Sequence, residues 1–303
     1  MSKSKNYKSL RTLALTLIIV LVLIINQYGT TKEKKTSTTP LPSGIIEVHF
    51  IDVGQGDSVL IETKDSAMLI DAGDNQKGIE IVNYLQSQNI KKLDYLIGTH
   101  LRSDHIGGLD DVLNSFPVNR VLLPEIANHT ASFEELQNTL DKKNITITPP
   151  EAGKQYNLGD ASFTILAPVN SYEDLTDNNL VIKLDFGNNS FLFAGDTEQP
   201  SEMSRMAQGV DLTADVLNIG HHSMEVSTNQ EFLEAVAPAY AVICVGSDKG
   251  SDHPNEDILQ GIKERSIKLY RTDIQGTIVF TSNGKNISVD TKDYELTDAD
   301  LID

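Results

Sequence analysis

A mixed α/β fold, with two sheets packed face to face and helices outside, is predicted by two features of the sequence. Short apolar segments come in closely spaced groups, then give way to segments of helical spacing interleaved with single strands. That order runs once from Ile45 and begins again near Ala161, so the chain reads as two similar halves. A third feature, polar residues set directly after strands, marks where the chemistry lies.

Lys3, Lys5, Lys8 and Arg11 precede Leu13 to Ile25, which is apolar apart from Thr16 and is followed by Asn26-Gln27-Tyr28. A positive start before a hydrophobic segment predicts that the domain downstream is translocated. No A-x-A-like cleavage site follows, so residues 1–28 are expected to be an uncleaved membrane anchor with Tyr28 at the outer interface. The segment is shorter than the ~20 residues of a comfortable span, and a removed signal peptide is the alternative. Residues 29–44, rich in Thr and Lys and closing on Pro40-Leu41-Pro42-Ser43-Gly44, have little to bury and read as a flexible tether.

The folded domain is expected over 45–290. Ile46 to Asp52, Ser58 to Thr63 and Ala67 to Ile70 read as an antiparallel meander. Ile79, Ile81, Val82 and Leu85 give Gly78 to Gln88 a helical spacing. A buried strand follows at Leu93 to Gly98, then a helix at Leu109 to Asn114, a strand at Asn119 to Leu123, a helix at Ser132 to Lys142 and a strand at Asn144 to Thr148. The second half opens with strands at Ala161 to Ala167, Asn179 to Phe186 and Ser190 to Ala194, the last two joined by the hairpin turn Gly187-Asn188-Asn189. Helices at Glu198 to Gln208, Gln230 to Val236 and Asn255 to Arg265 then alternate with strands at Ala214 to Ile219, Ala239 to Val245 and Ile267 to Tyr270, and a strand at Gly276 to Thr281 closes the half. Residues 291–303 form an acidic tail that is expected to fray.

At 303 residues and 39% hydrophobic content the chain is long enough for a sizeable core. A formal net charge of −18 argues against a broad basic surface for nucleic acid. A metal-centred site still acts on phosphate under that charge, because a bound cation reverses the local field. The single cysteine, Cys244, excludes an intrachain disulfide and any Cys-rich zinc site, and its place in Ala241-Val242-Ile243-Cys244-Val245 makes it a buried strand residue.

The chemistry centres on Thr99 to Gly108. His100, Asp104 and His105 fall just after a strand, so one rigid edge presents several ligands. Such donors suit zinc, or manganese or iron where oxygen ligands dominate. Gly107-Gly108 lets the backbone turn closely beneath them. Taken alone the loop is equally a polar loop with surface histidines. Asp71, Asp196, the pair His221-His222 and His253 also follow strands, and each alone could cap a turn. Their recurrence at one kind of position is what turn chemistry does not explain.

These residues resemble a family. His100, Asp104 and His105 are similar to the H-x-H-x-D-H signature of the metallo-β-lactamase superfamily. Asp52 to Ser58, Leu69-Ile70-Asp71-Ala72-Gly73, Gly195-Asp196, Gly220-His221-His222-Ser223, Asp252-His253-Pro254 and Arg271 to Gly276 resemble its ComEC-like branch, the hydrolase domains of competence proteins. The resemblance implies a four-layer αββα sandwich with one or two metal ions, Zn2+ or alternatively Mn2+, at one edge. By position Asp104 and His105 would hold one ion, with Asp196 bridging and His253 completing it. His100 and one of His221 or His222 would hold the other, and Asp71 would lie beneath the site and orient the loop. Two departures stand out. Arg102 takes the place of the second histidine and cannot ligate, and Asn179 stands where many relatives carry a further histidine. Arg102 is read either as a partner for an anionic substrate group such as phosphate or as one half of a salt bridge.

The expected function is an extracellular, membrane-anchored, metal-dependent hydrolase of phosphodiesters. Metals lower the pKa of bound water toward ~7 and offset charge on the phosphoryl oxygens, while Asp104 or Asp71 takes a proton. DNA, a nucleotide or a cell-wall polymer is the expected substrate. The alternatives are a lactone or amide hydrolase and a weakened fold serving as a surface binding module.

Overall fold

Alternation decides which face of each strand meets the core. In β1 (Ile46–Phe50), Ile46, Val48 and Phe50 point into the space between the sheets, while Glu47 and His49 face the other way. The computed structural model describes residues 40–124, 130–168, 178–247 and 253–301. The apolar segment at 13–25 and most of the linker lie outside these residues. Among the described residues no helix is long and apolar enough to cross a membrane.

β1, β2 (Val59–Glu62) and β3 (Ala67–Ile70) form the antiparallel meander that the sequence predicts. β4 (Leu93–Ile97), β5 (Val118–Leu122) and the short β6 (Ile147–Thr148) extend it in parallel. Helices α1 (Gly78–Ser87), α3 (Leu109–Ser115) and α4 (Ala131–Lys143) cover the outer face, burying Ile81, Leu85, Val112 and Leu136 against Leu60, Leu69 and Leu96. The single turn α2 (Ser103–Ile106) sits between β4 and α3 and carries the site.

The second sheet runs from β7 (Gln155–Leu158) through β8 (Ala161–Ala167), β9 (Val181–Phe186), β10 (Asn189–Phe193), β11 (Val216–Asn218) and β12 (Tyr240–Ile243) to β13 (Lys268–Arg271). Its outer face packs against α6 (Gln230–Val236) and α7 (Glu256–Glu264) through Phe232, Leu233, Ile258 and Ile262, while α5 (Gln199–Ala207) precedes β11 and α8 (Thr272–Gln275) follows β13. Between the sheets lies an aromatic-rich core.

The structure corrects the reading at several points. The strand predicted to close the second half, β14 (Ile278–Ser282), pairs with β1 of the first sheet, with Phe280 opposite Val48, and β15 (Ile287–Val289) follows it at the edge. The last strands of the second half therefore interlock the two halves. The β9–β10 turn is Gly187-Asn188 alone, because Asn189 already pairs with Phe186. Gly187 has φ +61 and approaches Gly284 so closely that a Cβ would lie 2.5 Å from its carbonyl oxygen. Nor does the acidic tail fray over its described part: Tyr294 N donates to Leu269 O at 2.7 Å, and Leu296 and Leu301 pack on the outer core of the second sheet. Three apolar side chains among the acids are enough to dock it.

His49 forms a separate ion cluster under α1. Its Nε2 lies 3.1 Å from Glu62 Oε1 and 3.5 Å from Glu47 Oε2, and its Nδ1 meets the Tyr84 hydroxyl at 2.8 Å. Burial opposes its charge, but the two glutamates outweigh burial and raise its pKa. A raised folded-state pKa stabilises fully below the unfolded value of ~6.5 and loses that contribution as pH rises through the folded value. The margin by which the wild type resists urea better than His49→Asn is therefore expected to shrink as pH rises above about 6.5 and through the raised folded-state value. A margin that does not change with pH would remove the ion cluster from the account.

Candidate metal centre

All the predicted site residues but His253 leave the end of a strand or the first turn after it, at one end of the sandwich. β3 runs into Asp71, β4 into Thr99 and His100, β10 into Asp196, and β11 into His221 and His222. Asp104 and His105 come from α2. This turn is held close to the chain before it. Ala72 N donates to His105 O at 2.7 Å, and a Cβ on Gly108 would lie 2.5 Å from Ala72 O. The glycine pair thus serves close backbone approach, since both residues have right-handed helical φ.

Asp71 adopts φ +57 and is 1% exposed. Its Oδ1 accepts from Thr99 N at 2.7 Å, and its Oδ2 accepts from the Thr99 hydroxyl at 2.5 Å and meets His105 Nδ1 at 3.0 Å. Both oxygens of Asp71 are thus taken up by Thr99 and His105. That carboxylate fixes the proton on His105 Nδ1 and turns Nε2 toward the site. His222 is set the same way by an acceptor that the sequence reading did not foresee: its Nδ1 donates to Cys244 O at 2.9 Å. Cys244 is buried, as predicted, and burial pushes its thiol well up.

Donor atoms of Asp104, His105, Asp196 and His222 all lie within 4.8 Å of one another. His105 Nε2, His222 Nε2 and both carboxylate oxygens of Asp196 are buried without a hydrogen-bond partner. His105 Nε2 and Asp196 Oδ2 are 3.0 Å apart, and His222 Nε2 is 3.6 Å from both Asp196 Oδ1 and Asp104 Oδ2. Close approaches between atoms that do not bond one another are how ligands of one ion are arranged. Orphaned donors of this kind carry a high desolvation cost, so the set fits a divalent cation.

The electrostatics agree. Burial works against the charge on Asp196 and Asp104, but the neighbouring imidazoles overcome it and hold both carboxylates below their usual range. Burial likewise opposes charge on His222, yet Asp196 and Asp104 push it up to about 9. His105 is also raised well above its ordinary value, against burial, by Asp196 and Asp71. The cluster draws in positive charge, and a bound cation supplies it in place of these protons.

The remaining predicted residues stand apart from this group. His221, His222 and Ser223 have φ of +46, +52 and +67, consecutive left-handed residues that cost ~1–3 kcal/mol each. The turn is held by His221 N donating to Gly195 O at 2.8 Å, Ser227 Oγ to Gly220 O at 2.8 Å and Asn255 N to Ser223 O at 2.8 Å. The strain aims the two rings differently: His222 into the donor group, His221 toward Arg102 and Glu198, with its Nδ1 3.4 Å from Glu198 Oε1. His100 is buried outside the group, its Nδ1 without a partner, and burial followed by the charge of His105 lowers its pKa to about 4. His253 is not among the converging donors. Its loop returns close by, through the Asn255–Ser223 bond. Asn179 is a structural residue, its Nδ2 donating to Ala194 O at 2.7 Å and Thr197 Oγ1 at 3.0 Å and so holding the loop that carries Asp196. Arg102 reaches Asp104 from the rim of an open cleft of about 1110 Å³ that Gln55, Asp74, Lys77 and Ser132 also line.

A family model described as Metallo-beta-lactamase superfamily matches residues 51–247. The chain belongs to the metallo-beta-lactamase superfamily. Within the superfamily its curated relatives bear out the ComEC-like resemblance. It is 30% identical over 254 residues to "ComE operon protein 3" of Bacillus subtilis (strain 168), which covers 77% of this chain and 33% of that protein. It is 29% identical over 246 residues to "Competence protein ComA" of Neisseria gonorrhoeae, covering 79% of this chain and 33% of that protein. The chain thus spans about a third of the length of these relatives. The fold of this superfamily member matches that of the metallo-beta-lactamase fold protein YhfI from Bacillus subtilis, with a TM-score of 0.54 at 13% identity, over 78% of this chain and 100% of that one.

Proposed function

We propose that this chain hydrolyses phosphodiester bonds with a divalent ion, zinc or manganese, held by Asp104, His105, Asp196 and His222. The observation that carries the reading is the convergence of buried, unpartnered nitrogen and oxygen donors at the edge of an open cleft. A divalent ion bound there acidifies its water toward neutral pH and offsets charge on a phosphoryl group. The protein's own share is positioning. Asp71 and Cys244 O fix the two imidazole tautomers, Asp196 lies between them, and Arg102, 46% exposed, turns a guanidinium toward the cleft where an anionic group would enter. Asp104 is the carboxylate nearest solvent in the group and is the better placed to receive a proton, whereas Asp71 is fully engaged.

The relative named as a competence protein supports a phosphodiester over a lactone or an amide. The net charge of −18 favours short or single-stranded material, or a wall polymer, over a long duplex gripped along a basic face. The basic start and the apolar run from Leu13 to Ile25 support an anchored domain outside the cell, which protease added to intact cells would digest. The full chain loaded with Mn2+ or Zn2+ is expected to cleave bis(p-nitrophenyl) phosphate and single-stranded DNA, and to stop when EDTA is added. Turnover of a lactone or an anilide in the same panel, with the phosphodiesters untouched, would replace this reading with the other hydrolase class. Metal bound with no turnover of anything would favour the binding module.

A further inference from the structure

The second metal position implied by the superfamily signature is filled here by protein. Its ligands would be His100, the residue at 102 and one of the tandem histidines, with a shared carboxylate. Arg102 sends its side chain into that place. Nη2 donates to Asp104 Oδ2 at 3.2 Å, Nη1 donates to His221 Nε2 at 3.3 Å, and Nη1 lies 3.6 Å from Asp196 Oδ2. Asp104 and Asp196 are the carboxylates a second ion would have to share with the first, and His221 is an imidazole it would need for itself. His221 turns its other nitrogen to Glu198, which leaves the Nε2 lone pair as the acceptor that Arg102 uses. Asn179 commits its amide nitrogen to the Ala194–Thr197 loop, which leaves a single neutral oxygen where many relatives carry an imidazole. Among the described residues His100 joins no group of three converging side-chain donors, too few to hold a divalent ion.

Resting on the metal-centre reading, we propose that Arg102 is a built-in cation in the place of the second metal, and that this chain has a single-ion centre. A guanidinium suits the role. It stays charged at any working pH and is planar, and its fork spans a carboxylate and an imidazole together. It carries more N–H donors than those two contacts use, and its partly exposed side chain leaves the others to face the cleft. The same group that neutralises Asp104 and Asp196 is thereby placed to meet a phosphate oxygen. The centre trades a removable divalent charge for a permanent monovalent one.

The test is metal stoichiometry, read independently of turnover. The full chain, purified in mild detergent, is incubated with excess Mn2+, desalted and assayed by elemental analysis beside Arg102→His and Arg102→Lys. One equivalent is expected on the wild type and on Arg102→Lys, which keeps the charge and adds no ligand. Two are expected on Arg102→His, which restores an imidazole. The electron paramagnetic resonance spectrum of the Mn2+-loaded wild type should be that of an isolated ion, a readout that needs no variant to fold. Two equivalents or a spin-coupled pair on the wild type would overturn the proposal and leave the hydrolase reading standing. One equivalent on a folded Arg102→His would also overturn it. No metal on any form would overturn the metal centre itself, and this proposal with it.

Discussion

Asp196→Asn is expected to strip the metal and abolish hydrolysis without unfolding the chain. Asp196 is fully buried and both its oxygens lack hydrogen-bond partners, so the fold does not use them. The amide keeps the volume but removes the charge and one oxygen. Loss of an outer hydrogen-bond partner costs roughly 10–100-fold in metal affinity, and loss of a carboxylate lying 3.0 Å from His105 Nε2 and 3.6 Å from His222 Nε2 should exceed that. Calorimetric titration with Zn2+ checks it, with circular dichroism to confirm the fold. Metal affinity within a few-fold of wild type would place the ion elsewhere.

Phe280→Ala is expected to cost about 3–5 kcal/mol of stability, the range for truncating a buried aromatic. Phe280 is wholly buried on β14 of the first sheet. Its ring meets Phe50 of the same sheet at 5.6 Å, and Phe191, Tyr240 and Tyr270 of the second sheet at 6.4, 5.7 and 5.3 Å, all near edge-to-face. One side chain therefore bolts both sheets together, and no neighbour moves into its space cheaply. Against a domain stability of about 5–15 kcal/mol this is a large fraction. Urea unfolding followed by fluorescence or circular dichroism measures it. A loss below ~1 kcal/mol would mean that the sheets hold without it.

The strands and helices were legible because their burial is periodic. Val48 and Phe50 alternate with Glu47 and His49, and Ile81, Val82 and Leu85 repeat at helical spacing. Pairing was less legible. Nothing local in Ile278 to Ser282 says that it returns to β1 across most of the chain, because that choice is made by sheet edges that exist only in the folded protein. β7 was readable in principle, since Tyr156 and Leu158 alternate with exposed residues, but four residues beside a turn give a weak signal. At the site, the residue types and their place after strands named Asp104, His105, Asp196 and His222. The choice between His221 and His222 depends on left-handed backbone angles and on a carbonyl at Cys244, neither of which has a residue-type signature. Backbone acceptors are invisible to motif reading for the same reason. Arg102 was singled out as a departure, and only the folded distances show that it engages Asp104 and His221 at once.

The most direct test of the account is anomalous diffraction at the metal edge from crystals of the Zn2+- or Mn2+-loaded protein. The account predicts one peak at ~2.0–2.2 Å from the Nε2 atoms of His105 and His222 and from carboxylate oxygens of Asp104 and Asp196, with the Arg102 guanidinium beside it. A peak on another donor cluster, that of Glu47, His49 and Glu62, with none between His105 and His222, would contradict it.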